Sequence, residues 1–265
     1  GATQTWSVNG AASTQYGTFS VNSSTGGWTY SLDNSLTATE QLREGQSVTQ
    51  SYTVRVTDDK GAYADQSVVV TVQGTNDAPI ASADFSADTV RESGLSNSGD
   101  SMAMGNVLSN DFDRDAGDHL TVKSFRSLSS AASGVMAGGT VDGTYGSLQI
   151  ASTGGWSYQL SESKANALAL GESATDSFGY FVMDDFGASI STSLTITVFG
   201  DNDAPTIVGT ATVNAGTVVE SGHFDDGSVS NGTPIATGQV VASDPDHGAT
   251  LTYSSPSATS SYGMF

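Results

Sequence analysis

The chain has 265 residues, of which 28 are acidic and 8 basic, for a net charge of −20, and it has no cysteine. That charge repels phosphate backbones and anionic headgroups, so nucleic acid and membrane surfaces are excluded as partners, while cations are attracted. The lack of cysteine excludes disulfides, thiolate metal sites and a cysteine nucleophile, and a 37% hydrophobic content is too high for a disordered acidic tail.

Taken in chain order, the elements read as short strands. Trp28, Tyr30 and Leu32 share one face; Tyr52, Val54 and Val56 alternate with polar residues, as do Val68, Val70 and Val72. Ser127 to Gly143 is rich in Ala, Ser and Gly and reads as a loose loop or hairpin. Trp156, Tyr158 and Leu160 share a face again. Ser161 to Leu170 reads as a turn or one helical turn, and Leu194, Ile196 and Val198 close a further strand. A period of two marks half-buried strands, and the Gly, Asn and Asp clusters between them mark turns. The expected class is all-β: tandem antiparallel sandwich modules in an extended array. After Gly-Gly, and with Tyr two positions on, Trp28 and Trp156 are expected in the core rather than at a sugar site, and so is Trp6.

The chain repeats itself. Tyr16-Gly17-Thr18-Phe19, Gly26-Gly27-Trp28-Thr29-Tyr30, Val56-Thr57-Asp58-Asp59 and Asn76-Asp77-Ala78-Pro79 return as Tyr145-Gly146-Ser147-Leu148, Gly154-Gly155-Trp156-Ser157-Tyr158, Val182-Met183-Asp184-Asp185 and Asn202-Asp203-Ala204-Pro205. A third copy runs to Tyr262-Gly263-Met264-Phe265. Each Asn-Asp-Ala-Pro follows a β-rich run, and its proline ends the ladder. The expected division is therefore a C-terminal part-module over 1–79, a whole module over 80–205 and an N-terminal part-module over 206–265. Such a frame reads as an excerpt of a longer protein, with Gly1 and Ala2 as a cloning remnant. A half sandwich exposes its core and edges. Head-to-tail complementation between part-modules of adjacent molecules would cover both; the alternative is a boundary elsewhere in the repeat.

Acidic residues gather in turns that recur. Asp58 and Asp59 are matched by Asp184 and Asp185. Asn76 and Asp77 are matched by Asp201, Asn202 and Asp203, with Thr75 standing where the second copy has Asp201. Asp111 and Asp113, in Asn110-Asp111-Phe112-Asp113-Arg114-Asp115, are matched by Asp244 and Asp246, and Glu92 by Glu220. Calcium takes six to eight oxygens, and Asp- and Asn-rich bends supply them; magnesium's octahedral demand fits worse. Asp and Asn also make turns with no ion at all, but four repeated clusters at both linkers favour the ion. Neither an EF-hand nor a glycine-rich nonapeptide spacing is present.

With these residues the chain resembles the VCBS repeat, a cadherin-like module of very large bacterial surface proteins, often RTX adhesins. The resemblance implies a β-sandwich extender, calcium at the junctions with neighbouring modules of the same chain, and a place outside the cell on the bacterial surface. Carried over by position, Asn76, Asp77, Asp201, Asn202, Asp203, Asp111, Asp113, Asp244 and Asp246 match a calcium-type junction.

Catalytic patterns are missing. No Gly-x-Ser-x-Gly elbow or histidine pair occurs, and His119 and His247 read as exposed turn residues. Asp184 and Asp185 are adjacent on a strand end and point to opposite faces, which is wrong for a glycosidase pair. The expected role is a non-catalytic, calcium-stiffened extender of a cell-surface adhesin serving adhesion and biofilm. The alternatives are a calcium-dependent, lectin-like carbohydrate-binding module or an accessory domain of a secreted enzyme.

Overall fold

The computed structural model describes residues 3–130, 133–208, 216–254, 259–260 and 263–264. Tyr262 and Phe265 of the third repeat copy lie outside the described residues, as do Gly1 and Ala2.

The chain opens with β1 (Thr5–Asn9), β2 (Gly17–Val21), β3 (Trp28–Leu32), the single helical turn α1 (Thr37–Glu40), β4 (Ser47–Thr57) and β5 (Tyr63–Gln73). Strands β1, β4 and β5 form one sheet, and β2 pairs with β3. A longer series follows: β6 (Asp84–Phe85), β7 (Val90–Arg91), β8 (Met102–Asn106), β9 (Thr121–Ser127), β10 (Val135–Met136), β11 (Thr140–Asp142), β12 (Gly146–Ile150), β13 (Gly155–Leu160), α2 (Glu162–Ala165), β14 (Ser173–Met183) and β15 (Ser189–Phe199). Here one sheet runs β10-β9-β14-β15-β6, with β7 also on β15, and the other runs β11-β12-β13-β8. The two faces share one core. Phe125, Phe178, Tyr180, Val182, Leu194, Ile196 and Val198 of the first sheet meet Ala103, Leu148, Ile150, Trp156, Tyr158 and Leu160 of the second. The last strands are short: β16 (Thr206–Val208) with β19 (Val241–Ser243), and β17 (Gly222–His223) with β18 (Val229–Ser230).

The all-β sandwich matches the expectation, and so does the one-turn helix after Leu160. One departure is the outer edge of β15, where β6 and β7 run parallel rather than antiparallel. The Ser127–Gly143 segment is a hairpin return: β10 lies back on β9 and β11 on β12.

The sequence repeat is a repeat of register. Ser47 to Thr57 face Gln73 to Tyr63 as Ser173 to Met183 face Phe199 to Ser189, and Val21 faces Trp28 as Ile150 faces Trp156. The tryptophans nevertheless differ. Trp156 is 7% exposed, as expected of core, whereas Trp28 is 51% exposed and corrects that expectation. The cause is a missing neighbour. Strand β8 lies along β13 so closely that a Cβ on Gly105 would sit 2.9 Å from the Trp156 ring, while β3 has no such strand among the described residues. Trp28 instead rests on Phe19, centroids 5.6 Å apart, and Trp6 packs at the margin of the Phe19, Tyr52 and Val54 cluster.

Candidate metal centre

The chain leaves β5 through Gly74, whose approach to the Leu42 carbonyl leaves only 2.0 Å for a Cβ; Gly200 after β15 stands in the same relation to Leu168. Each linker then turns back over a carboxylate-bearing bend. At the first, the Asp77 N–H donates to Asp115 Oδ2 at 2.7 Å, and the Asp115 N–H donates to Asp113 Oδ1 at 2.9 Å. The Asn76 amide donates to the Asp77 carbonyl (2.7 Å) and to Asp184 Oδ2 (2.9 Å). Asp184 Oδ1 closes the β14–β15 turn by accepting from the Phe186 and Ala188 N–H groups, both at 2.9 Å. Three contacts tie the bend to the preceding strands: Arg43 to Asp118 at 3.4 Å, Arg114 to Glu40 at 2.7 Å, and the Ala116 N–H to the Gln41 carbonyl at 3.2 Å.

Asp184 spends both of its oxygens on these bonds, but four other oxygens at the linker are left bare. Asn76 Oδ1, Asp113 Oδ2, Asp115 Oδ1 and Asp118 Oδ2 are all buried without a hydrogen-bond partner, and Asp115 as a residue is 3% exposed. One oxygen each from Asp113, Asp118 and Asp184 lies within 4.8 Å of the others. Burial, and then the neighbouring carboxylates, push Asp113 and Asp115 above the ordinary carboxylate range. A buried acceptor without a partner costs about 1–3 kcal/mol, and more when charged. Hard oxygens are the ligands a calcium-type cation takes, and Asp113, Asp118 and Asp184 stand close enough together to share one.

The second linker is built on the same frame. The Asp203 N–H donates to Asp246 Oδ2 at 2.9 Å, the Asp246 N–H to Asp244 Oδ1 at 3.0 Å, and the Asn202 amide to the Asp203 carbonyl at 2.9 Å. The His247 N–H meets the Ala167 carbonyl at 3.0 Å, as Ala116 meets Gln41. Two acids are added here. Glu92 is fully buried, and its Oε1 accepts from the Asp201 N–H at 2.9 Å. Asp201, also fully buried, accepts from the Asn202 and Asn97 N–H groups. Glu92 Oε2, Asp203 Oδ2 and Asp246 Oδ1 are left bare. Burial first, and then Asp203, Asp246 and Glu162, push Glu92 up to about 7. Burial also raises Asp201, but the amides of Asn202 and Asn97 and the Ser96 hydroxyl outweigh it and hold that carboxyl below its ordinary range.

The structure thus gathers Asn76, Asp77, Asp113 and Asp184 at the first linker, and Glu92, Asp201, Asn202, Asp203, Asp244 and Asp246 at the second. Others fall elsewhere. Asp58 folds onto its own turn, accepting from the Lys60 and Ala62 N–H groups, and Asp59 faces Lys60 in the open. Asp111 accepts from the Ser82 N–H, on the side of the bend facing Asp84 and Tyr180. Asp185 is exposed and bonds His119, and Glu220 is exposed. Two acids of the first linker were absent from the expected ligands. Asp115 had a signal: the Asp-x-Asp of Asp244 and Asp246 aligns with Asp113 and Asp115, not with Asp111 and Asp113. Asp118 had none, since Ala249 takes its place in the repeat; their N–H groups make matching bonds to Asp115 and Asp246.

Residues 76–200 match the family described as the bacterial cadherin-like domain. Among solved structures, the chain is similar to protocadherin gamma B2 extracellular cadherin domains 1–5 (16% identity, 93% of this chain, 39% of that one, TM-score 0.45). It is also similar to human CDH23 EC21-23 (13%, 93% and 70%, 0.44) and mouse cadherin-23 EC22-24 (14%, 75% and 53%, 0.39). The chain therefore spans 39% and 53% of the protocadherin gamma B2 and mouse cadherin-23 chains. No curated protein matches it. By the family match, the central segment is similar to a bacterial cadherin-like domain. Among the described residues, no helix is long and apolar enough to cross a membrane.

Proposed function

We propose that the chain is a calcium-stiffened extender segment of a bacterial cell-surface adhesin, with modules meeting at Pro79 and Pro205 and the ions held at those linkers. One observation carries this reading. Both linkers bring carboxylates from separate elements together and leave buried oxygens bare: Asp115 Oδ1 at the first, Glu92 Oε2 at the second. Without a cation the like charges repel and the joint is loose. With one, the linker and both flanking turns share a ligand set and the joint is stiff. Nothing in this role needs a substrate, so the segment works as length rather than as a catalyst. At the first linker, Asn76, Asp77, Asp113, Asp115, Asp118 and Asp184 would hold the ion; at the second, Glu92, Asp201, Asp203, Asp244 and Asp246 would.

The position of these oxygens favours a spacer over a lectin-like module, whose ion must stand open on a loop tip to meet sugar hydroxyls. The resemblance to RTX-type adhesins supports an extracellular place and a role in adhesion and biofilm. The test is thermal melting and small-angle scattering with calcium and with chelator. A ligand that binds only the native state must raise the melting point. Calcium is expected to raise it and lengthen the particle; unchanged curves in both measurements defeat the reading.

A further inference from the structure

The first joint is bridged by side chains as well as by the linker. The chain has 8 basic residues, and two of them, Arg43 and Arg114, cross this joint in opposite directions. Arg43 follows α1 in the preceding strands and reaches forward to Asp118 Oδ1 at 3.4 Å. Arg114 lies on the bend between Asp113 and Asp115 and reaches back to Glu40 Oε2 at 2.7 Å. Each side of the joint therefore gives one guanidinium and receives one. Between the two pairs the Ala116 N–H donates to the Gln41 carbonyl at 3.2 Å. The bend turns beside Arg43 at Gly117, whose φ of 85° favours glycine.

Contacts at three separate points define an orientation, which a spherical ion does not. Calcium takes six to eight oxygens in a flexible geometry, so it draws the linker and the bend together without choosing an angle. A guanidinium is planar and holds its donors in a fixed fork, so each pair is directional. The Arg43 and Arg114 side chains are 36% and 55% exposed, and exposed pairs add little stability of their own. They steer the joint more than they hold it. These pairs also belong to this joint alone among the two. At the second linker the His247 N–H repeats the backbone bond, to the Ala167 carbonyl. There Asn166, Ala169, Pro245 and Ala249 stand in the places of Glu40, Arg43, Arg114 and Asp118, and His247 faces Glu172 at 3.3 Å.

We propose that Arg43 and Arg114 set the angle between the preceding strands and the central sandwich at which the first joint locks. Both are positioning residues, and only the locking rests on the calcium reading above. The ion would remove the repulsion among the carboxylates and stiffen the joint; the arginines choose its direction. Asp118 serves both ends: its Oδ1 is held by Arg43, and its Oδ2 is buried with no hydrogen-bond partner. The second linker, built without these pairs, locks at an angle of its own, so successive joints of the rod need not share one geometry.

Spin labels on Ser20→Cys and Ser157→Cys, both at exposed positions, report the distance across the joint, because the chain has no other cysteine. In saturating calcium the labelled protein is expected to give one narrow distance. Adding Arg43→Met or Arg114→Glu should replace it with a broad distribution, while calcium still raises the melting point. Arg114→Glu combined with Glu40→Arg rebuilds the pair in reverse and should recover the narrow distance. Variants that keep the narrow distance in calcium overturn the steering role and leave the ion reading standing. A distance that is equally narrow in chelator, and that the two single changes broaden there, keeps the steering and defeats the ion as the lock. A reversed pair that stays broad overturns the pairing of Arg114 with Glu40 as its cause.

Discussion

Asp77 and Asp115 meet across the first linker, with the backbone N–H of one held by the carboxylate of the other at 2.7 Å, and Asp203 and Asp246 repeat the bond at 2.9 Å. In each pair one carboxylate oxygen positions the linker and the other is buried without a hydrogen-bond partner. The linker's path and its charge problem thus come from the same side chain. Asp115→Asn keeps an oxygen for the Asp77 N–H but removes the charge. It should leave the apo protein at least as stable as before at neutral pH, with less repulsion around Asp113. Calcium affinity should fall about tenfold or more, since outer-sphere changes alone reach that size. Calorimetric titration of calcium into both proteins measures it. Asp59→Asn is the matched control and should change stability by no more than about 0.5 kcal/mol.

The acids at the linkers also set a pH dependence. Glu92 rises from an ordinary 4.5 to about 7 in the folded state, chiefly through burial, and Asp113, Asp115 and Asp203 are raised for the same reason. A raised carboxyl binds more protons folded than unfolded, so its contribution is present at low pH and lost as pH rises through the folded value. In chelator the melting point should therefore fall between about pH 4.5 and about pH 7 on the Glu92 values. Calcium favours the ionised forms and should flatten or reverse that slope. Glu92→Gln should remove much of the slope in chelator. A melting point that climbs across this window in chelator contradicts the argument.

The two repeat tryptophans should respond unequally to truncation. Trp156 is packed under β8, and Trp156→Ala should cost ~3–5 kcal/mol, as for other large buried aromatics. Trp28 keeps its stack on Phe19 and only about half of its burial, so Trp28→Ala should cost clearly less than Trp156→Ala, about 1–3 kcal/mol, in dilute protein. Urea unfolding of the two variants measures both. Equal losses would mean that Trp28 is already covered in solution.

Much of this was legible in the sequence for one physical reason. Strand register follows alternation, and alternation is local, so the eleven paired positions of β4 with β5 could be anticipated from Tyr52, Val54, Val68 and Val70. The repeat carried the same register to β14 and β15. Burial is not local. Trp28 and Trp156 have the same neighbours in sequence and differ because β8 lies beside only one of them. The candidate metal centres divide in the same way. Residues that recur, such as Asp77 with Asp203, could be found by comparing copies. Asp118 could not, because its oxygen joins Asp113 and Asp184 only through folding and its counterpart is Ala249. Asp111 stands ahead of the Asp113-x-Asp115 pair that aligns with Asp244 and Asp246, and one of its oxygens serves the Ser82 amide.

Asp176 is a buried acid with no need of an ion, which makes it a control on all of the above. It is 1% exposed on β14 and accepts four hydrogen bonds: from the N–H groups of Thr144 (2.6 Å), Tyr145 (2.9 Å) and Gly146 (3.2 Å), and from the Tyr158 hydroxyl (2.6 Å). Here three successive N–H groups of the β11–β12 turn find their partner in one side chain, and the turn is held onto the opposite sheet. Gln50 stands at the matching position of β4, so the first strands lack this clamp. Asp176→Ala strips four donors at once, each worth about 1–3 kcal/mol when left buried and unpaired, and should unfold the central sandwich or cost it most of its stability. Tyr158→Phe removes one donor and leaves the three backbone bonds, so its cost should be near 1 kcal/mol. Both losses should be the same size in calcium and in chelator. A calcium-dependent loss at Asp176 would mean that the linkers and this turn are coupled through the sandwich, which their separate bonding does not anticipate.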